Sequence, residues 1–370
     1  MAEGRHLLLA GGGHAHVEVL RRLALKPLPG WRVTLLTREP RAPYSGMLPG
    51  VAAGLYRPDQ ALIDLAPLAR RAGAELVVDR VAGLDPAARL LRREGGAPLA
   101  FDLLSINTGA TPDLARVPGA ARHALPLKPI DALLPRLDAL VAAAREGMVV
   151  AVVGGGAAGS EMALALAARL RPRGVRLVLV AGAAGLLPGF PDRLRERLRA
   201  ALAARKVALM EGDDVAEVVA EGLVFRRSPP LAAEAVLWAT GAAPAPWLAE
   251  SGLRRDAAGF LRVEDTLLAE GQAGIFAAGD VASFAARPLP KAGVHAVRQG
   301  PLLARNLRAA AEGRGLKPHR PQADTLFLIS LGDRQAIGTR NGFVFGGRWA
   351  WRWKDWIDRR FMRRYAEETA

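Results

Sequence analysis

The sequence predicts an α/β protein with two doubly wound units, each a parallel sheet covered by helices, followed by a small β-meander and an amphipathic helix. Three observations carry that prediction. An apolar strand, a glycine-rich turn and a helical run follow one another twice, beginning at residues 6 and 149. Two further segments, "LLSINTGATPD" from Leu103 and "LWATGAAPAPW" from Leu237, each place an apolar strand before Thr-Gly. The last 60 residues change character, with short strands, an Asn-Gly turn and a tryptophan-rich helix. Strands alternating with helices at this spacing build parallel sheets.

The first unit opens with "HLLLA", residues 6 to 10, read as a buried strand. Gly11, Gly12 and Gly13 make the turn, and residues 14 to 24 carry helical apolar spacing. Free amides at such a helix start, together with the positive end of its dipole, stabilise a pyrophosphate that the glycines allow to approach. His14 stands at the helix start, and His16 occupies the third position of G-x-G-x-x-G. A missing side chain at that position ordinarily lets helix and strand close up, so the loop is expected to widen slightly. "WRVTLLT", residues 31 to 37, is the second strand. An acid for the adenosine ribose belongs at its end, but Thr37 stands there, with Glu39 two residues on.

The second copy, "VVAVVGGGAAGSEMALALAARL", is complete, with Gly154, Gly156 and Gly159, and Glu161 in the first helical turn. The strand "VRLVLVA" from Val175 ends in Ala181, again without an acid, and no phosphate-binding arginine adjoins it. Both units are thus Rossmann-like dinucleotide-binding domains. Thr108-Gly109 ends the strand at Leu103, and "GIFAAGDVASF" supplies Gly279 and Asp280 with a helix expected to start at Ala282. Asp280 can accept hydrogen bonds from a polyol, or simply cap that helix. The expected limits are 1–112 with 243–312 for the first domain, 113–242 for the second and 313–370 for a C-terminal module.

Composition narrows the functions. With 370 residues and 51% hydrophobic content the chain can bury a large core. The apolar runs fall short of the roughly 20 residues that span a bilayer, and the N-terminus lacks a signal-peptide layout, so a cytoplasmic location is expected. The net charge of +15 comes mostly from arginine, 45 of 51 basic residues, spread along the chain. No basic stripe interleaved with aromatics occurs before the last 25 residues, so nucleic acid is not an expected partner. There is no cysteine, which closes thiol redox chemistry and thiolate metal sites. The six histidines are scattered and predict no metal site.

Two glycine loops 143 residues apart, two Thr-Gly turns and a late Gly-Asp resemble the two-dinucleotide-fold flavoproteins of the pyridine nucleotide-disulfide oxidoreductase superfamily, which include disulfide reductases and type II NADH:quinone and sulfide:quinone oxidoreductases. "PYSGMLPGVAAGLY", "LPLKPIDALLPRL" and "PKAGVHAVRQGPLLARNL" are similar to the FAD-dependent proteins related to the N-terminal extension of some selenide, water dikinases. The resemblance implies FAD along Gly11, Gly13 and His14, with His16 in a packing role, Glu39 as substitute ribose acid, and Thr108, Gly109, Gly279 and Asp280 close by. Tyr44, Met47, Leu48 and Lys128 are implied for the flavin pocket, where a buried lysine would stabilise an anionic reduced flavin; a surface lysine is the plain alternative. NAD(P)H is implied at Gly154, Gly156, Gly159 and Glu161.

The acceptor is then a quinone or another small molecule, a selenium compound included. Gln299 alone matches the glutamine-rich segment that borders the quinone pocket in type II NADH:quinone oxidoreductases, and with Lys128 it is the catalytic candidate. Lys291, His295 and Arg298 suggest either an anion site or a solvated helix start. In the last helix Trp349, Trp353, Trp356, Ile357 and Phe361 are expected on one face, with Arg352, Asp355, Asp358, Arg359 and Arg363 on the other. That pattern over 348–365 fits contact with the inner face of an anionic membrane, or packing on the protein body or a second subunit as a homodimer. A flavin-bearing membrane protein without nicotinamide turnover is the non-enzymatic alternative.

Overall fold

The computed structural model describes residues 4–284, 289, 291–320 and 325–366. Pro290, which opens one of the segments carrying the family resemblance, lies outside the described residues. Two five-stranded parallel sheets organise the chain. The first runs, edge to edge, Ile275–Ala277, Leu103–Ile106, Arg5–Ala10, Trp31–Thr37 and Ala74–Val78. The second runs Ala124–Pro126, Ala235–Trp238, Val149–Val153, Arg176–Gly182 and Val207–Glu211. In each the glycine-loop strand is central, which is why Leu7 to Ala10 and Val149 to Val153 are unbroken apolar runs and buried.

Helix His14–Leu25 packs against helix Gly293–Ala311, and Gly300 makes the close approach possible: a Cβ there would meet the Glu18 side chain at 2.8 Å. The chain passes between the sheets on two adjacent segments joined by mutual backbone hydrogen bonds of Thr111 and Ala243, at 3.1 and 2.7 Å. A short helix, Leu48–Ala52, packs onto helix Ala157–Leu170 of the second unit and ties the halves together.

The tail is a meander of Phe327–Ser330, Ala336–Arg340 and Phe343–Gly347, turned by Asn341 and Gly342, both with positive φ, and then the helix Arg348–Ala366. No helix among the described residues is long and apolar enough to cross a membrane.

Two local expectations are corrected. Ala282 does not start a helix: Gly279–Val281 makes a single 3-10 turn and Ala282–Phe284 continues as a buried strand paired with Leu261–Val263. The Lys291 ammonium donates to the Ala282 carbonyl at 2.6 Å, and that bond holds the segment extended. The last helix also turns Asp358, expected on its polar face, inward with Ala350, Phe361 and Tyr365, whereas Trp349 and Trp356 are half exposed. Asp358 turns inward because its hydrogen-bond partners, Tyr44 and Lys354, wait there.

Candidate cofactor and electron-transfer site

At the first loop the glycines are dictated by neighbours. Gly11 sits at φ +99°, and a Cβ there would lie 2.5 Å from the Asn107 carbonyl oxygen. Asn107, not singled out from the sequence, is the fastener of this site. Its Oδ1 accepts from the Ala15 and His16 amides at 3.1 and 3.4 Å, and its Nδ2 donates to the Ala278 carbonyl at 2.6 Å. One buried side chain therefore joins the glycine turn, the Thr-Gly turn and the Gly-Asp segment.

His16 is completely buried. Its Nδ1 donates to the Gly11 carbonyl at 2.6 Å and its Nε2 accepts from the Ser105 hydroxyl at 2.8 Å. Burial, against the Gly11 bond, pushes its pKa down to about 4, so the ring is neutral and this tautomer is fixed. In the second loop a Cβ at Gly159 would press into the Gly154 carbonyl, well inside contact distance. In the first loop His16 fills the corresponding space with a ring and donates to the Gly11 carbonyl instead. It packs the loop, and both of its ring nitrogens are engaged within the protein.

Several predicted residues converge beside it. Asp280, 8% exposed, accepts from the Lys128 ammonium at 2.8 Å. His14 has its pKa lowered to about 4 by burial first and Lys128 second, opposed by Asp280. Its ring stands edge-on to Tyr44 at 5.6 Å, and Tyr44 stacks on Phe361 at 4.3 Å. Gly109, at φ +76°, faces open space. The Thr108 hydroxyl and His14 Nε2 are buried without hydrogen-bond partners among the described residues. Orphaned polar atoms around a glycine cradle at a helix start fit the hydroxyl-rich, anionic flavin dinucleotide. When bound, FAD supplies two-electron chemistry; the chain supplies the Gly11–Gly13 cradle, Thr108, His14 and the Asp280–Lys128 pair.

Other candidates serve differently. Gln299 is buried, and its Oε1 accepts from the Gly279 amide at 2.6 Å, so it positions the Gly-Asp turn. Met47 is in a small core with Val51, Tyr56 and Ala61, and Leu48 packs in the core of the second unit. Glu39 stays partly exposed beyond Thr37, whose hydroxyl donates to the Glu39 carbonyl at 3.2 Å. Lys291 is drawn to Ala282 and lies over the Phe260 ring, while Arg298 donates to Thr325 at 3.0 Å; the two cations are engaged apart from each other. Among the described residues no three His, Cys, Asp or Glu side chains are placed to hold a metal.

The second loop repeats the cradle, and Gly156 faces open space. Glu161 points away from it: its carboxylate accepts from the Ser330 amide at 2.8 Å and faces Lys354. Burial raises its pKa to about 7, against the Lys354 charge. Lys354 in turn donates to Asp358 and to the Gly46 carbonyl, both at 2.7 Å, and Asp358 accepts from the Tyr44 hydroxyl at 3.1 Å. Burial lifts the Asp358 pKa, with Lys354 opposing. A row of ionisable groups therefore leads from Glu161 to Tyr44 and the edge of His14, an arrangement no local spacing announces. A cleft of about 660 Å³ under the last helix is lined by apolar residues such as Met47, Ile63 and Trp356 and by charged ones such as Asp64, Asp355 and Arg359.

The pyridine nucleotide-disulphide oxidoreductase family matches residues 5–300. The demethylphylloquinone reductase NdbB of Synechocystis is 30% identical over 263 residues, 69% of this chain and 63% of that protein, so the chain spans less than two thirds of that relative. The NADH dehydrogenase-like protein YutJ of Bacillus subtilis is 24% identical over 90% of this chain and 92% of its own length. In fold, the NDH2 of Plasmodium falciparum, solved in complex with NADH, superposes with a TM-score of 0.79 at 14% identity, covering 97% of this chain and 98% of that one. The chain, which contains no cysteine, belongs to the pyridine nucleotide-disulphide oxidoreductase family.

Proposed function

We propose that the chain passes a hydride from NAD(P)H, held over Gly154, Gly156 and Gly159, to FAD held over the first loop, and delivers the electrons to a quinone. In this reading residues 1–112 and 243–312 form the flavin domain, 113–242 the nicotinamide domain and 313–370 the acceptor-side module. One observation carries it: a cysteine-free chain sets a row of buried and half-buried ionisable groups, running toward the flavin site, close to a cleft of mixed apolar and charged lining under the last helix. Reducing a quinone to its hydroquinone with NAD(P)H consumes one proton beyond the hydride, and Glu161, poised near pH 7, with Lys354, Asp358 and Tyr44 can hold and pass it. The quinone reductase name of the Synechocystis relative supports the same acceptor class.

The outward face of the tail suits a membrane, where such acceptors reside. Phe343, Trp349 and Trp356 are exposed, with Arg348, Arg352, Arg360 and Arg364 beside them and the Arg360 guanidinium over the Trp356 ring. A peripheral position on an anionic bilayer surface follows. A second copy of the chain covering the same face is the competing outcome.

The test is reoxidation without oxygen: protein reduced by one equivalent of NADH is mixed with a short-chain naphthoquinone or benzoquinone, or with selenite. Rapid return of the flavin band with a quinone supports the proposal. Return with selenite alone would replace the quinone by the selenium reading.

A further inference from the structure

We propose that Asp214 is the residue by which this chain selects NADH over NADPH. The inference rests on the nicotinamide reading of the second loop. The strand that should carry the ribose-binding acid, Arg176–Gly182, ends in Ala181 and Gly182. Ala181 is nevertheless in the right place: a Cβ on Gly155, the middle glycine of the loop, would lie 2.6 Å from the Ala181 Cβ. The chain beyond it stays along the loop, since the Leu187 amide donates to the Gly155 carbonyl at 2.8 Å.

A carboxylate reaches that corner from the neighbouring strand. Val207–Glu211 pairs with Arg176–Gly182, its last residue opposite Gly182, and the chain then turns through Asp213 and Asp214. Asp214 Oδ1 accepts from the Ala183 amide at 2.8 Å and stands 2.8 Å from the position a Gly182 Cβ would take. A carboxylate arriving from the side thus stands beside Gly182, one residue on from the position that lacks the acid.

Its electrostatic setting favours a hydroxyl over a phosphate. Glu211 and Asp213 flank it, and the nearby arginines are engaged: Arg199 with Glu211 at 3.0 Å, Arg227 with Asp213 at 3.7 Å and with the Gly212 carbonyl. No ion pair among the described residues engages Asp214 itself, so its carboxylate is left for a ligand. A ribose 2′-hydroxyl can donate to Asp214, whereas a 2′-phosphate meets like charge.

The probes are ADP-ribose and its 2′-phosphorylated form, titrated calorimetrically into the flavin-loaded protein, alongside kcat/KM for NADH and NADPH. The expected result is a preference of at least about tenfold for ADP-ribose and NADH. Asp214→Asn keeps an oxygen for the Ala183 amide but removes the charge, and should shrink the preference several-fold, mainly through KM for NADPH. An unchanged ratio in Asp214→Asn would reduce Asp214 to a backbone brace and overturn the inference. Equal binding of the two probes by the unaltered protein would overturn it while leaving nicotinamide use intact. Failure of either probe to bind, with no bleaching by either nucleotide, would overturn the nicotinamide reading and this inference with it.

Discussion

Replacing His16 by glycine would restore the G-x-G-x-x-G pattern of the first loop, and it should damage the protein. The imidazole is completely buried, so its removal leaves a cavity that costs about 3 kcal/mol on the scale of large-to-small core substitutions. The Gly11 carbonyl loses its 2.6 Å bond and the Ser105 hydroxyl its 2.8 Å bond, which adds roughly 1–2 kcal/mol. A glycine in the first helical turn adds up to about 1 kcal/mol. The sum is about 5 kcal/mol. At roughly 2 cal/mol/K per residue, cooperative unfolding of 370 residues carries an entropy near 0.8 kcal/mol/K, so the midpoint should fall by about 6 °C. Differential scanning calorimetry of the flavin-loaded proteins reads the shift, and the flavin fraction retained on gel filtration reads the loop. A His16→Gly protein as stable as the parent, or one that holds FAD more tightly, would refute the argument that this loop is built around the ring.

Three further outcomes follow from the tail. Burial raises the Glu161 pKa to about 7 from an ordinary 4.5, so its ionisation costs stability as the pH climbs through that window, about 3 kcal/mol in all. Glu161→Gln should therefore gain about 4 °C in midpoint relative to the parent between pH 5 and pH 8; a pH-independent difference contradicts this. Lys354→Met strands the Asp358 carboxylate and should cost about 3–5 kcal/mol, whereas Lys354→Met with Asp358→Asn should recover much of it in chemical denaturation. An equal loss in both would mean that the pair is not the source. Trp349→Ala with Trp356→Ala removes half-exposed rings, so the midpoint should fall by only a few degrees while partition to anionic vesicles drops roughly tenfold. Unchanged partition with a shift in oligomeric state would give that face to a second copy instead.

The glycine loops, their strands and the Asn-Gly turn were legible because backbone geometry writes itself locally: positive φ strongly favours glycine, and close approach of another backbone excludes a side chain. Asn107 was less legible, although comparing its turn with the second one exposes it, since Ala239 stands at the equivalent place beside Gly154 and Gly159. The buried face of the last helix was misread for a different reason. Helical spacing put Asp358 on the polar face, but Asp358 and Lys354 are taken inward by Tyr44, Gly46 and Glu161, some 190 to 310 positions away in sequence. Gln299 matched an acceptor-site pattern yet serves the Gly279 amide, a contact 20 residues back that fixes the turn carrying Asp280.

The most direct test of the account is the visible spectrum of the purified protein under anaerobic conditions, before and after one equivalent of NADH. The expected result is a bound flavin whose band bleaches within seconds and stays bleached until a quinone is added. A flavin untouched by NADH and NADPH, or a protein that takes up no flavin on reconstitution, would contradict it.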